Sequence, residues 1–306
     1  MMMNQLALMR REVWEHRSIW VTPSAVAMVV TLLTLAMFVA ASKFGDITDM
    51  AIIGASSVGD HERRMALLAT LLGYTSVFLI AMWILTIFYC LDTLYSERKD
   101  KSILFWRSLP ITDAETVISK LLTAMLLIPL VTFAAVAASH LVNLVLISLW
   151  INSEGGSPGT LIWGSVPLFD TWLALLVVLL AVPLWISPLL GWFLFVSAWT
   201  KRNPFLTAFL PLAVLPILEY VILRSHLLWD AITARLSMQS MPLFSINPDL
   251  IFDDKSFRNL RLEDLSLLKL LDISKLLSSL ELWIGLIVCG LFATAAIYIR
   301  RYRDDS

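Results

Sequence analysis

His140 and Asn143, i and i+3 inside a long apolar run, are the pair of side chains in this sequence whose types and spacing most suggest chemistry. An imidazole one helical turn from an amide could serve an intramembrane enzyme as proton carrier or metal ligand. A metal site would also need a glutamate pair or a further histidine in the bilayer. None is present, so the pattern favours a helix-to-helix hydrogen bond in the outer half of a bundle. Glu219 is the one carboxylate inside an apolar run, and an ionisable group at that depth is by default a coupling site for protons or ions. It stands one turn from Arg224 and the end of its run, which predicts a snorkelling carboxylate paired with Arg224. Cys90 and Cys289 are too few for a disulfide scaffold or a thiolate zinc site and read as packing residues. Gly-x-x-x-x-Gly-Lys-Ser/Thr, His-Glu-x-x-His and Gly-x-Ser-x-Gly are all missing from the sequence. No residue is therefore assigned to catalysis, to a cofactor or to a metal, and ATP, if it drives this protein, must bind another subunit.

The segment 92–120 carries a second kind of signal. It reads as two helical pieces separated by Pro110, the first placing Ile103, Leu104 and Trp106 among Arg98, Lys99, Lys101 and Arg107. The second opens with Thr112 followed three residues later by Glu115, a capping box. A short amphipathic helix that exposes a tryptophan and an arginine between two spans suits the groove of a partner. Its plainer reading is a positively charged anchor resting on lipid headgroups.

The elements that must position these residues follow from composition. The 306 residues are 58% hydrophobic and only 15% charged, with a mean hydropathy of +0.80. A soluble domain carries about 25% charged residues, so the chain is an all-α integral membrane protein, helices being the way an apolar chain satisfies its backbone in lipid. A net charge of −1 provides no basic field for nucleic acid. Apolar runs long enough to span cover Trp20–Ala41, Leu67–Leu91, Leu121–Ile151, Trp172–Trp199, Phe205–Leu223 and Leu282–Ile299. Pro129 in the third run, with Pro183 and Pro188 in the fourth, predicts kinks or broken segments there. The first run is too long for the apolar core of a signal peptide. Lys and Arg are about twice as dense in 1–19, 92–120, 200–204 and 300–306 as in 42–66, 152–171 and 224–281. The positive-inside rule then puts both termini in the cytoplasm.

The domain order expected is a cytoplasmic interfacial helix (1–19), five spans (20–223) with the 92–120 loop, an extracytoplasmic segment (224–281), and a sixth span with a basic tail (282–306). In the first piece, Leu6, Met9, Val13 and Trp14 share a face, with Arg10, Arg11, Glu12, Glu15 and Arg17 elsewhere, as in a helix lying along the membrane surface. The segment 224–281 is too long for a simple connection. Its leucine-rich second half is read as amphipathic helix that covers the outer ends of the spans, lies on the bilayer, or meets a second copy. Asn152 to Gly159 reads as a flexible outer turn.

Glu97-Arg98, Ser102-Ile103-Leu104, Ser108-Leu109-Pro110-Ile111-Thr112, Glu115 and Ser119-Lys120 together resemble the first cytoplasmic loop of ATP-binding-cassette (ABC) permeases of the type-2 exporter class. Lys101 departs from that resemblance, standing where a glycine is expected. The entry Leu6 to Arg17 resembles the connecting helix of the same family. The resemblance covers most of the chain in topology and about 45 residues in motif. It implies a multi-pass permease of the inner (cytoplasmic) membrane, surrounded by lipid, that pairs with a second permease copy and with cytosolic ABC ATPase subunits. The loop between the second and third spans would be the coupling helix, with Glu97, Arg98, Leu104, Trp106, Arg107, Leu109 and Pro110 at the ATPase interface. The first half of each of the second and fifth spans would be the candidate for the dimer contact and substrate path. The competing readings are a secondary transporter or channel coupled through Glu219, a membrane-embedded enzyme using His140, and a non-transporting scaffold.

Overall fold

The computed structural model describes residues 2–43, 59–102, 111–237, 240–244 and 266–302, the side chains of 2–4 and 42 apart. Among them six helices are long and apolar enough to cross a membrane, and no strand forms beyond one isolated bridge, Phe244 to Leu271. In chain order the helices are α1 (Met2–Glu15), α2 (Ser18–Ser42), α3 (Asp60–Lys99), α4 (Asp113–Leu122), α5 (Ile128–Ser153), α6 (Leu168–Trp185), α7 (Ser187–Trp199), α8 (Pro204–Leu223), α9 (Leu227–Leu236), α10 (Ile273–Ser278) and α11 (Leu280–Tyr302).

The spans differ from hydropathy alone at their ends. At 1.5 Å per residue, the 40 residues of α3 extend about 60 Å, roughly twice the hydrocarbon thickness. Residues 92–99, expected in the loop, continue the helix of the second span. The third span runs without interruption from Asp113 to Ser153. Its opening α4 carries the expected capping box: Glu115 N–H donates to Thr112 Oγ1 at 3.1 Å and Thr112 N–H to Glu115 Oε2 at 3.0 Å. Ahead of Pro129, which has no N–H to donate, residues Thr123–Leu127 widen into a π-helical turn. The fourth span breaks between α6 and α7 at Ile186, flanked by Pro183 and Pro188, as those prolines predict.

α3 lies at the centre, packed against α2, α5 and α7, while α7 and α11 make the most extensive helix pair. Gly191 allows that closeness. A Cβ there would lie 3.0 Å from the Cys289 Cα and 3.1 Å from its carbonyl oxygen, the small-residue contact by which membrane helices approach. Both cysteines are free and buried, as packing residues should be. The described parts of the segment after α8 fold onto the bundle. Met241, Leu243 and Leu276 join the main core, Leu243 O accepts from Asp272 N–H, and Asp170 in the first turn of α6 accepts from Ser266 Oγ and Leu267 N–H. Of the leucine-rich stretch expected as an amphipathic helical region, the described residues form a 3-10 turn (Leu267–Leu270) and the short α10, and the part before Ser266 lies outside the described residues.

Candidate functional site

The lower end of α3 delivers two adjacent side chains into different parts of the bundle, because successive helical residues diverge by about 100°. Glu97, 6% exposed, accepts from Lys120 Nζ at 3.0 Å, from Arg11 at 2.9 Å and from Arg300. Lys120, fully buried in α4, also donates to Glu12 Oε1 at 2.9 Å and to Thr93 Oγ1 at 2.7 Å. Glu12, equally buried on α1, accepts from the Tyr89 hydroxyl at 2.8 Å. Arg300 of α11 completes the set by donating to Asp113 Oδ1 at 2.8 Å, at the start of α4. Three cations face three carboxylates, with Glu15 adding a further contact to Arg11. Mutual pairing offsets the desolvation that would otherwise expel buried charge, and losing one partner leaves the opposite charge it faced under-compensated. The Glu12, Glu15 and Glu97 oxygens lie within 4.8 Å of one another, a spacing that could hold a metal, but the Lys120 ammonium already bridges Glu12 and Glu97.

This network corrects one expectation. The α1 face bearing Glu12 was expected to point away from apolar surroundings, yet Leu8 and Glu12 are the buried residues of α1, while Leu6 and Trp14 are 68% and 72% exposed. The reason is electrostatic: Glu12 has a buried cation to meet in Lys120. The apolar runs other than the fifth hold no charge over their expected bounds, and the buried charges lie just beyond those ends. Glu97, Lys120 and Arg300 sit on continuations of the same helices. A signal for this was present in the sequence, since Lys120 follows Thr116 and Val117 at buried helical spacing. Nothing in the sequence named its partners.

Arg98 turns the other way and donates to the carbonyls of Ser197 (2.6 Å) and Thr200 (2.8 Å), capping the end of α7. Ser197 Oγ accepts from Leu94 and Tyr95 N–H, and the Tyr95 hydroxyl donates to Arg202 O. The two expected coupling residues that are described, Glu97 and Arg98, are thus bound within the chain. Leu104, Trp106, Arg107, Leu109 and Pro110 lie outside the described residues. Lys101, where a glycine was expected, has φ +55°. That is the left-handed conformation in which glycine meets no Cβ clash.

His140 is fully buried and satisfied on both ring nitrogens. Trp172 Nε1–H donates to Nδ1 at 3.2 Å, which leaves the Nε2 proton for Leu71 O at 3.2 Å, with Thr75 Oγ1 also at 3.2 Å. It joins α5 to α3 and α6, and no ring lone pair is left for a metal. Asn143 donates to Ser139 O at 2.7 Å and approaches Thr31 of α2 at 3.4 Å. Glu219 does not pair with Arg224. It accepts from Leu227 and Leu228 N–H at 3.0 and 2.8 Å, while Arg224 lies over the Tyr220 ring. The unsatisfied N–H groups at the start of α9 give a carboxylate two well-aimed donors and a favourable dipole, which an exposed arginine does not match.

An apolar cavity of about 790 Å³ opens between α3, α6–α7, α8 and α9, lined by Trp83, Phe193, Phe209 and Leu212 among others, with Arg235 at its edge. A bundle of spanning helices with a large apolar cavity, a buried ionic network at one end and no nucleotide-binding motif is built as the membrane part of a transporter. Residues 65–223, just over half of the chain, match the ABC-2 family transporter protein family, and the chain belongs to it. No curated protein and no solved structure matches the chain. It is an ABC-2 type permease, an integral multi-pass membrane protein and the transport component of an ABC transporter, a family whose permeases partner ABC ATPase subunits.

Proposed function

We propose that this permease sits in the cytoplasmic membrane with both termini inside, pairs with a second permease copy, and is driven by cytosolic ATPases that dock on the loop after α3. Export is the direction implied by the likeness of residues 97–120 to the type-2 exporter loop. The observation that carries the coupling role is the pair Glu97–Arg98 at the mouth of that loop. Glu97 ties α3 to α1, α4 and α11, while Arg98 ties it to α7. A push on 100–112 is thereby passed to five helices at once, which suits rigid rocking of a bundle. Glu97 and Arg98 act as positioning residues, leaving Leu104, Trp106, Arg107, Leu109 and Pro110 as the docking surface. α2 and α8 are the least buried spans, and α8 is the surface open to a second copy. The cavity between α3 and α8 supports a substrate path along the second and fifth spans.

A tagged chain solubilised in mild detergent is expected to retain a nucleotide-binding subunit, and a Trp106→Ala/Arg107→Ala double variant to lose it. If neither retains one, the ATP-driven reading fails. An enzyme built on His140 is disfavoured by its two occupied nitrogens, and a coupled carrier built on Glu219 by that group's role as a helix cap.

A further inference from the structure

The charged end of the cavity differs in kind from the rest of its wall. Arg235, half-buried on α9, reaches back to the break between α6 and α7, where it donates to the carbonyls of Trp185 (3.1 Å) and Glu281 (2.6 Å) and lies 4.4 Å over the Trp185 ring. Gly285 makes room for it, since a Cβ there would stand 3.0 Å from the guanidinium. Among the described residues no carboxylate forms an ion pair with Arg235. The Glu281 carboxylate acts on it only through space, opposing the lowering of its pKa by burial. Two more donors at the same break are buried without a partner: the indole N–H of Trp185, a cavity-lining residue, and the hydroxyl of Ser187. Buried donors without acceptors are rare enough in folded proteins to call for an explanation.

From this we propose that the cavity binds a single-chain anionic amphiphile of fatty-acid type, its carboxylate on Arg235 and the Trp185 N–H and its chain along Trp83, Phe193, Phe209 and Leu212. The volume lies within the roughly 300–1,000 Å³ of small-molecule sites. A fork of guanidinium donors is matched to a carboxylate, and guanidinium hydrogen bonds to backbone carbonyls hold the side chain in place without neutralising it. A neutral hydrocarbon would leave the Trp185 N–H unanswered and Arg235 without a counter-charge, and a cationic one would meet Arg235 with like charge. The identity of the occupant as cargo rests on the substrate path proposed above.

The test is binding of dansyl-labelled undecanoic acid against the matched dansyl-labelled undecanol, measured by fluorescence on the full chain in phosphatidylcholine nanodiscs. The wild type is expected to bind the acid at least about tenfold more tightly than the alcohol, the size of a charge-assisted hydrogen bond. Arg235→Gln should abolish that preference while leaving alcohol binding in place, and Arg235→Lys should keep part of it. Leu212→Trp, which fills the cavity without touching Arg235, should weaken both probes severalfold. Equal affinity of the wild type for acid and alcohol overturns the inference, whether or not Arg235→Gln folds, as does a preference that survives Arg235→Gln or binding untouched by Leu212→Trp. ATPase capture scored on the same preparations separates the two readings. Capture without acid preference sinks the ligand assignment alone, and acid preference without capture upholds the site and sinks the ATP-driven reading.

Discussion

Two buried polar constellations hold this bundle together, and they do so by different physics. Around His140 every group is neutral. An imidazole, an indole N–H, a threonine hydroxyl and a backbone carbonyl join α3, α5 and α6 by hydrogen bonds near 3.2 Å. Around Glu97 every principal group is charged, and full ions from α1, α3, α4 and α11 sit within 3.0 Å of one another or closer. Losing one neutral partner costs a hydrogen bond and a small void. Removing one ion leaves an uncompensated charge in a place that excludes water. The neutral cluster is therefore a joint, whereas the ionic cluster is an all-or-none clasp at the end of α3 from which the loop departs.

The sharpest way to break this contrast is Lys120→Ala. It strands Glu12 and takes one of three cations from Glu97, and is expected to cost about 3–5 kcal/mol, read as a large fall in melting temperature of the detergent-solubilised protein. Glu12→Gln combined with Lys120→Met should recover a good part of that loss. A double variant no better than Lys120→Ala would show that the pairing does not govern the site. His140→Ala comes next. It leaves the Trp172 N–H without an acceptor and should destabilise by about 1–3 kcal/mol, with transport by the surviving protein retained. Loss of transport in a variant of near wild-type stability would return His140 to the list of functional groups.

Acid distinguishes the two clusters more gently. His16, just after α1, faces Glu12 and Thr93, with Lys120, Asp92 and Glu15 nearby. Burial lowers its pKa from 6.5, helped by Lys120 and opposed chiefly by Glu12. The folded state thus prefers the neutral ring, while an unfolded chain takes up the proton below about pH 6.5. The stability His16 contributes is complete above that pH and is lost as pH falls through the lower, folded value. Melting curves at falling pH should show the decline in wild type and a shallower one in His16→Gln. The smallest effect belongs to Lys101, whose φ of +55° carries a Cβ penalty. Lys101→Gly should stabilise by up to about 1 kcal/mol once the greater freedom of the unfolded glycine is counted, and Lys101→Val should destabilise. A thermal-shift comparison with the reverse order would remove the left-handed turn as an explanation.

Hydropathy alone located the six spans, because bilayer thickness sets the length of an apolar helix and nothing in that relation needs a partner residue. The break at Ile186 was legible from Pro183 and Pro188, and the start of α4 from Thr112 and Glu115, since proline and capping chemistry act within a turn or two of chain. The left-handed backbone at Lys101 was foreshadowed by likeness to other permeases and not by local chemistry. Glu219 was read against Arg224, five residues on, whereas the reversal of the chain into α9 offered it two backbone donors. Side chains bonded to each other at the clasp are separated by as many as 203 positions in the chain.

The sequence by itself determined that this is a helical membrane protein, how many apolar helices are long enough to cross, and where proline or a capping box breaks or opens one. It did so because backbone hydrogen bonding and the cost of polar groups in hydrocarbon are local constraints on each segment. Only the tertiary structure decided that Glu12 faces inward to Lys120, that Glu97 and Arg98 turn to different helices, and that Arg235 ends at an apolar cavity. A buried charge takes its meaning from the opposite charge or the donor that folding brings within about 3 Å, and that partner lies wherever the packing of helices puts it.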